Sequence, residues 1–143
     1  MTGRRGFDLV AVSALWWARH VRDDPLGPGE RSIGAVGGNL PLARARFEAA
    51  QAALRDHPTV IDDKVAAIGY CFGGGVVLNM ARLGVDIDGV VSYHGSLATS
   101  SPAAPGDIKT RVLVFNGADD PLGKPADHRA VLTKGPWYAL DCR

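Results

Sequence analysis

Hydrophobic residues in this chain occur as short continuous runs separated by segments with helical spacing. The runs occupy residues 7–12, 65–68, 90–93 and 112–115, and the only polar residues within them are Asp8 and Ser92. Continuous apolar runs of this length are typical of strands that are buried on both faces of a parallel sheet. The alternation of such strands with helical segments predicts an α/β fold, in which a mostly parallel sheet carries helices on both faces.

The segment between the first two runs has the periodicity of an amphipathic helix. Ala43, Phe47, Ala50 and Leu54 recur at intervals that place them on one helix face. Asn39 precedes them and is a favourable N-cap, because its side-chain oxygen can accept a free N–H of the first turn. The pattern therefore predicts a helix whose apolar stripe faces the core.

A second helix is predicted after the strand at 65–68. Val76, Val77, Met80 and Leu83 are spaced to face the sheet. Gly84 follows the last of them, and glycine is the usual residue where a helix ends in the left-handed conformation.

The turn between that strand and that helix carries the main candidate chemistry. It reads Gly-Tyr-Cys-Phe-Gly-Gly from Gly69 to Gly74. A nucleophile elbow has this strand–turn–helix setting, with glycines two residues before and two residues after the nucleophile. Gly69 and Gly73 hold those positions around Cys71, and we expect both to be required because the tight turn excludes a Cβ. The partial positive charge of a helix N-terminus also favours a thiolate there.

Two other interpretations fit the local motif. A glycine-rich turn can bind a phosphate, and a cysteine beside apolar residues is often a buried small hydrophobe. The phosphate interpretation is disfavoured because the spacing matches neither the dinucleotide-binding nor the P-loop pattern. In addition, no acidic residue ends the next strand, where a ribose would need one. The motif alone leaves the choice between a reactive and a buried cysteine open.

Three segments extend the motif to a family resemblance. They are KVAAIGYCFGGGVVLNMAR at 64–82, GVVSYHGSL at 89–97 and VLVFNGADDP at 112–121. Together they closely resemble the dienelactone hydrolase family, part of the α/β-hydrolase superfamily. The resemblance is clear from about residue 38 and fades after about residue 128. It implies a partial α/β-hydrolase fold, with residues 1–143 forming a single domain.

The resemblance also implies roles for particular residues. Cys71 is carried over as the nucleophile that attacks an ester or lactone, and Asp120 is carried over as the triad acid, with Asp119 as the less favoured candidate. The backbone N–H of Phe72 would be one of two donors to the oxyanion. Tyr70 flanks the nucleophile and is a candidate pocket residue.

The base of the triad has no counterpart in the resemblance. The family places a histidine beyond one further strand after the acid, and only His128 follows Asp120 in this chain. His128 is expected in a helix, where a solvated surface histidine is the simpler interpretation. His94 follows a strand on the same sheet edge as Cys71 and is a candidate pocket residue, although a satisfied strand-end histidine fits equally. We expect weak activity, and the alternative function is an inactive fragment or a non-catalytic, thiol-bearing binding domain.

Composition limits the remaining possibilities. The chain has 143 residues, of which 46% are hydrophobic and 22% are charged, and its net charge is +1. These values suit one globular domain and give no support for a nucleic-acid partner. No run of 18 apolar residues is present, so no membrane association is expected. The two cysteines do not suggest a disulfide framework, and we expect a cytoplasmic protein.

The expected partner is a small-molecule ester or lactone. No cluster of His, Cys and carboxylate residues has metal-ligand spacing, and no metal or cofactor is expected. The family's early strands have no counterpart in this sequence, which predicts an uncovered sheet edge through which a homodimer can form.

Overall fold

The computed structural model describes residues 38–58, 60, 64–117, 119–122 and 137–142. The strand predicted at 7–12 and the histidines His20 and His128 lie outside these ranges. In chain order, the described elements are helix α1 (Leu40–Arg55), strand β1 (Ala66–Tyr70), helix α2 (Phe72–Arg82), strand β2 (Gly89–Tyr93), strand β3 (Arg111–Gly117) and strand β4 (Trp137–Cys142).

The four strands form one parallel sheet in the order β1-β2-β3-β4. Its register aligns the last residue of β1, Tyr70, with Tyr93 of β2, and Tyr93 with Phe115 of β3. The predicted parallel α/β architecture is therefore confirmed. Because the strands are parallel, the residues that follow β1, β2 and β3 all lie at one edge of the sheet.

Strand β4 was not predicted from the sequence. It pairs with β3 from Val112 opposite Trp137 to Gly117 opposite Cys142. Trp137–Cys142 begins with the apolar run Trp-Tyr-Ala-Leu, and this run is the sequence signal for the strand. A run of four apolar residues does not by itself distinguish a strand from a short buried helical segment.

Helix α1 begins at the predicted cap. The Leu42 N–H donates to Asn39 Oδ1 at 3.0 Å, which satisfies one of the free donors of the first turn. Ala43 is buried as predicted, and so is Gln51, whose amide donates to the Asp86 carbonyl in the loop after α2. This bond joins the last turns of α1 to the chain that leads into β2.

Helix α2 contacts two neighbours rather than the sheet alone. Its sheet-facing residues share a cluster with alternate strand residues: Val77, Leu78 and Ala81 with Ala67, Val90, Val112 and Val114. Met80, Val76 and Leu83 instead pack with Ala43 of α1. The predicted sheet-facing stripe was therefore wrong at these three positions, because α1 covers a second side of the helix. The predicted C-terminal Gly84 is confirmed by its φ of +66°.

No helix in the described ranges is both long and apolar enough to cross a membrane.

Candidate active site

Cys71 occupies the tight turn between β1 and α2. Its φ of 52° and ψ of −116° lie in a region that non-glycine residues rarely adopt. The turn is fixed on both sides, because the Cys71 N–H donates to the Tyr93 carbonyl at 2.9 Å and the Cys71 carbonyl accepts from the Gly75 N–H at 3.2 Å. The thiol is free and exposed, and it makes no capping hydrogen bond. The turn thus presents the sulfur at the carboxyl edge of the sheet.

The close contacts at the turn depend on Gly69 and Gly74. A Cβ at Gly69 would overlap the Gly73 carbonyl, and a Cβ at Gly74 would lie 2.7 Å from Ser92 Oγ and 2.9 Å from Gly95 Cα. A Cβ at Gly73 would meet no heavy atom within 4 Å. The expectation that Gly73 is sterically required was therefore wrong, because the close approach falls one residue later, where α2 meets the loop after β2.

Phe72 is the first residue of α2. The N–H groups of a first helical turn have no intrahelical acceptor, so the Phe72 N–H is free of that pairing. It adjoins Cys71 and can donate to an anion that lies beside the thiol. The Phe72 side chain packs with the cluster between α1 and α2, which orients the start of the helix.

Asp120 lies at the carboxyl edge of the sheet, three residues beyond the end of β3. Its side chain is only 4% exposed, and each carboxylate oxygen has a partner. Oδ1 accepts the Leu122 N–H at 2.8 Å, whereas Oδ2 accepts Asn116 Nδ2 at 3.0 Å and lies 2.7 Å from His94 Nδ1. Asp119 is exposed. Among the residues that the structure describes, Asp120 contacts a histidine and Asp119 does not.

The environment of Asp120 favours its charged form. Burial alone would raise the pKa of this carboxyl, because desolvation disfavours the anion. The hydrogen bond from the Leu122 N–H opposes that effect, as do the hydrogen bond and charge of His94 and the hydrogen bond from Asn116. Together these interactions outweigh desolvation and lower the pKa of Asp120 below its usual range. The group is an ionised acceptor at neutral pH.

His94 directly follows β2, and its backbone φ is positive, like that of Cys71. Its φ is also 52°, and its N–H donates to the Phe115 carbonyl at 2.8 Å. Its side chain is 56% exposed. An ionised carboxylate can only accept a hydrogen bond, so the proton of this pair resides on Nδ1 and a neutral imidazole keeps its lone pair on Nε2.

Asn116 was not recognised from the sequence. It is 3% exposed within β3, and its Nδ2 donates to the Gly95 carbonyl at 3.1 Å as well as to Asp120. Another bond joins the loop after β2 to the loop after β3, since the Leu97 N–H donates to the Leu122 carbonyl at 3.1 Å. The loops after β2 and β3 are therefore held together at the site. A polar residue at an inward-facing position near the end of an otherwise apolar strand is the sequence signal for such a role.

Tyr70 ends β1 and directly precedes Cys71. The residue is 68% exposed, and its ring stacks on that of Tyr93 with centroids 4.9 Å apart. The Tyr93 ring stacks in turn on Phe115 at 4.7 Å. Strand side chains alternate between faces, so this row lies on the sheet face opposite the residues that contact α2. Tyr70 therefore adjoins Cys71 along the chain but lies on a different side of the sheet from α2.

Within the described ranges, no group of three or more His, Cys, Asp or Glu side chains could hold a metal ion.

Comparisons with known proteins identify the family of the chain. Residues 39–138 match the dienelactone hydrolase family. The chain belongs to the dienelactone hydrolase family. A solved dienelactone hydrolase-like promiscuous phosphotriesterase from metagenomic libraries is 39% identical, with a TM-score of 0.66 over 77% of this chain. A second structure, described as m3DLH, is 33% identical, with a TM-score of 0.67 over 85% of this chain.

The match covers only part of each relative. The chain spans 48% and 52% of the two solved dienelactone hydrolase-like chains. An uncharacterised protein of Caenorhabditis elegans is 44% identical over 55 residues, which are 38% of this chain and 35% of that protein.

Proposed function

We propose that this dienelactone hydrolase family member cleaves carboxylic esters or lactones, with Cys71 as the nucleophile and Asp120 as the acid of a catalytic triad. The observation that carries the proposal is the exposed Cys71 thiol on a left-handed turn at a helix N-terminus. Strained backbone at a fixed, exposed nucleophile is a recurrent feature of catalytic sites. The buried Asp120 carboxylate at the same sheet edge adds the group that would orient a base.

In the proposed reaction, the Cys71 thiolate attacks the carbonyl carbon of the substrate. The electron pair of the C=O bond moves to oxygen, and the Phe72 N–H donates to that oxyanion. Collapse of the tetrahedral intermediate expels the alkoxide and leaves a thioester on Cys71. Water then hydrolyses the thioester, which releases the acid and restores the thiol.

A phosphotriester is a second candidate substrate. The similar solved protein described as a promiscuous phosphotriesterase supports it. The same thiolate could attack phosphorus, and the same N–H could stabilise the negative charge that develops on the phosphoryl oxygen. A non-catalytic, thiol-bearing domain is the alternative from a different functional class.

The test compares three substrates on the purified chain: p-nitrophenyl acetate, dihydrocoumarin as a lactone, and a p-nitrophenyl dialkyl phosphate. We expect turnover of the ester or the lactone that is lost in Cys71→Ala, together with an acetyl adduct on the Cys71 peptide in mass spectrometry. Hydrolysis of the phosphate ester alone would support the second candidate. Folded protein with no turnover of any substrate, or turnover unchanged in Cys71→Ala, would overturn the proposal.

A further inference from the structure

The Asp120 carboxylate already orients an imidazole in this structure. Its Oδ2 lies 2.7 Å from His94 Nδ1, and the other partners of the carboxylate are the Leu122 N–H and the Asn116 amide. A charge-assisted bond of this length fixes both the ring orientation and the tautomer of the histidine. In its neutral form, His94 is therefore held as the tautomer that carries its proton on Nδ1 and leaves the Nε2 lone pair free to accept one.

His94 is also tied to the nucleophile turn. The Cys71 N–H donates to the carbonyl of Tyr93, the residue directly before His94. Tyr70 and Tyr93 are partners in the register of β1 and β2, so Cys71 and His94 are the next residues along two strands that lie about 4.8 Å apart. Both residues leave their strands with the same left-handed φ. Their backbones are thus neighbours at one sheet edge.

We infer that His94 is the general base and acid that serves Cys71, oriented by Asp120, an inference that rests on the proposed hydrolase function. Imidazole and carboxylate then come from the ends of the adjacent strands β2 and β3, beside the nucleophile at the end of β1. The 56% exposure of the His94 side chain leaves it accessible to substrate and water. The Nδ1 contact assigns the orienting role to Asp120 and the proton-transfer role to Nε2.

The proton balance follows from this assignment. His94 Nε2 accepts the Cys71 thiol proton as the sulfur attacks the carbonyl carbon. The imidazolium, stabilised by Asp120, returns that proton to the departing alkoxide. In the second half, Nε2 accepts a proton from the water that attacks the thioester and gives it to the Cys71 sulfur as the C–S bond breaks.

The test uses two substitutions that suit a left-handed backbone. His94→Asn places an amide N–H near the position of Nδ1, so it can keep the bond to Asp120 but cannot accept a proton. His94→Gly removes the ring without backbone strain and leaves room for added imidazole. We expect His94→Asn to slow ester turnover by about 10²- to 10⁴-fold and to slow alkylation of Cys71 at neutral pH. Added imidazole should restore both rates in His94→Gly.

Three comparisons make the outcome decisive. His57→Asn, at the end of α1, should keep both wild-type rates. Asp120→Asn should lower the extent of imidazole rescue in a His94→Gly background, because the carboxylate that orients the imidazole is absent. In wild type, the ¹⁵N chemical shifts of the His94 ring should show a protonated Nδ1.

The results separate this inference from the proposed function. Cys71-dependent turnover that is unchanged in His94→Asn and His94→Gly would overturn the role of His94 and leave the hydrolase intact. An absence of ester turnover, combined with His94-dependent and imidazole-rescued alkylation of Cys71, would overturn the hydrolase and support the coupling of His94 to the thiol.

Discussion

Asp120 and His94 lie 26 positions apart in the chain, yet their side chains meet at 2.7 Å where β2 and β3 end. The contact depends on the order of the sheet, because β2 and β3 are neighbours with parallel register. It joins a carboxylate that is 4% exposed to an imidazole that is 56% exposed. The Asp120 carboxylate is thus buried and fixed, whereas the His94 imidazole is accessible to solvent.

Asp120→Asn should lower turnover and change the pH dependence of stability. Loss of the orienting carboxylate in a triad costs on the order of 10⁴-fold in turnover. The pKa of Asp120 is lower in the folded chain than the unfolded value of about 3.9. Its charge therefore stabilises the fold above that value, and this contribution is lost as the pH falls toward the lowered pKa. Urea unfolding near neutral pH and at about pH 3 should show the wild-type advantage shrinking in acid.

The exposed neighbour provides a matched control for that prediction. Asp119→Asn removes the same charge one residue away and should retain wild-type turnover. Equal losses in the two variants would show that net charge, and not the Asp120 contact, controls the activity.

Asn116→Ala should weaken both stability and activity. The substitution leaves the Gly95 carbonyl and Asp120 Oδ2 each short of a donor in a buried site, which costs about 1–3 kcal/mol. Asn79→Ala is the control, because it removes the hydrogen bonds that Asn79 Oδ1 accepts from Arg82 on α2 and from Thr99 in the loop after β2, and neither partner contacts Asp120. Chemical denaturation should show destabilisation of both variants, but only Asn116→Ala should lose turnover per folded molecule. Equal turnover in the two would contradict a role for Asn116 at the site.

Gly73→Ala and Gly74→Ala should differ sharply although the residues are adjacent. The added Cβ meets nothing within 4 Å at Gly73, and alanine restricts the unfolded chain, so a gain of about 0.4–1 kcal/mol is expected. At Gly74 the added Cβ lies 2.9 Å from the backbone of Gly95, which must shift. Overpacking of this kind costs about 1–3 kcal/mol. Thermal unfolding of the two variants measures the difference, and a more stable Gly74→Ala would show that the close approach is absent in solution.

Cys71→Gly should be more stable than Cys71→Ala. A non-glycine residue at this left-handed φ carries about 1–3 kcal/mol of strain, and glycine relieves it. Both variants lack the thiol and should be inactive, so the difference between their stabilities measures the backbone strain at position 71.

Iodoacetamide followed by peptide mass spectrometry should label Cys71 in the folded wild-type protein, because the thiol is exposed. Labelling of Cys71 only after denaturation would contradict the exposed turn.

Local signals in the sequence predicted most of the sheet and both helix ends. The apolar runs predicted the ends of β1, β2 and β3 to within two residues. Each run consists of consecutive residues of a single strand, so the prediction does not depend on how distant segments pair. Asn39 and Gly84 predicted the ends of the helices, because their effects depend on the nearest turn alone. The alternation of strands and helices predicted the parallel α/β fold, and the family resemblance added its assignment to the α/β-hydrolase superfamily.

The pairings between distant segments could not be predicted in the same way. His94 and Asp120 each follow a strand, but the sequence does not state that β2 and β3 are neighbours. The orientation of Met80 likewise depends on where α1 packs. Gly74 rather than Gly73 meets the loop after β2, a contact that requires the placement of Gly95.

The two bonds that hold the loops after β2 and β3 together have a consequence for local unfolding. The loop that carries His94 is held by the Asn116–Gly95 bond and by the Leu97–Leu122 bond, and the second of these also holds the segment that carries Asp120. Neither loop can open while both bonds remain, so the two segments form one cooperative opening unit. In native-state hydrogen exchange, the amides of Leu97 and Leu122 should therefore exchange with the same opening free energy, and the acid and the imidazole should become ordered or released in a single event.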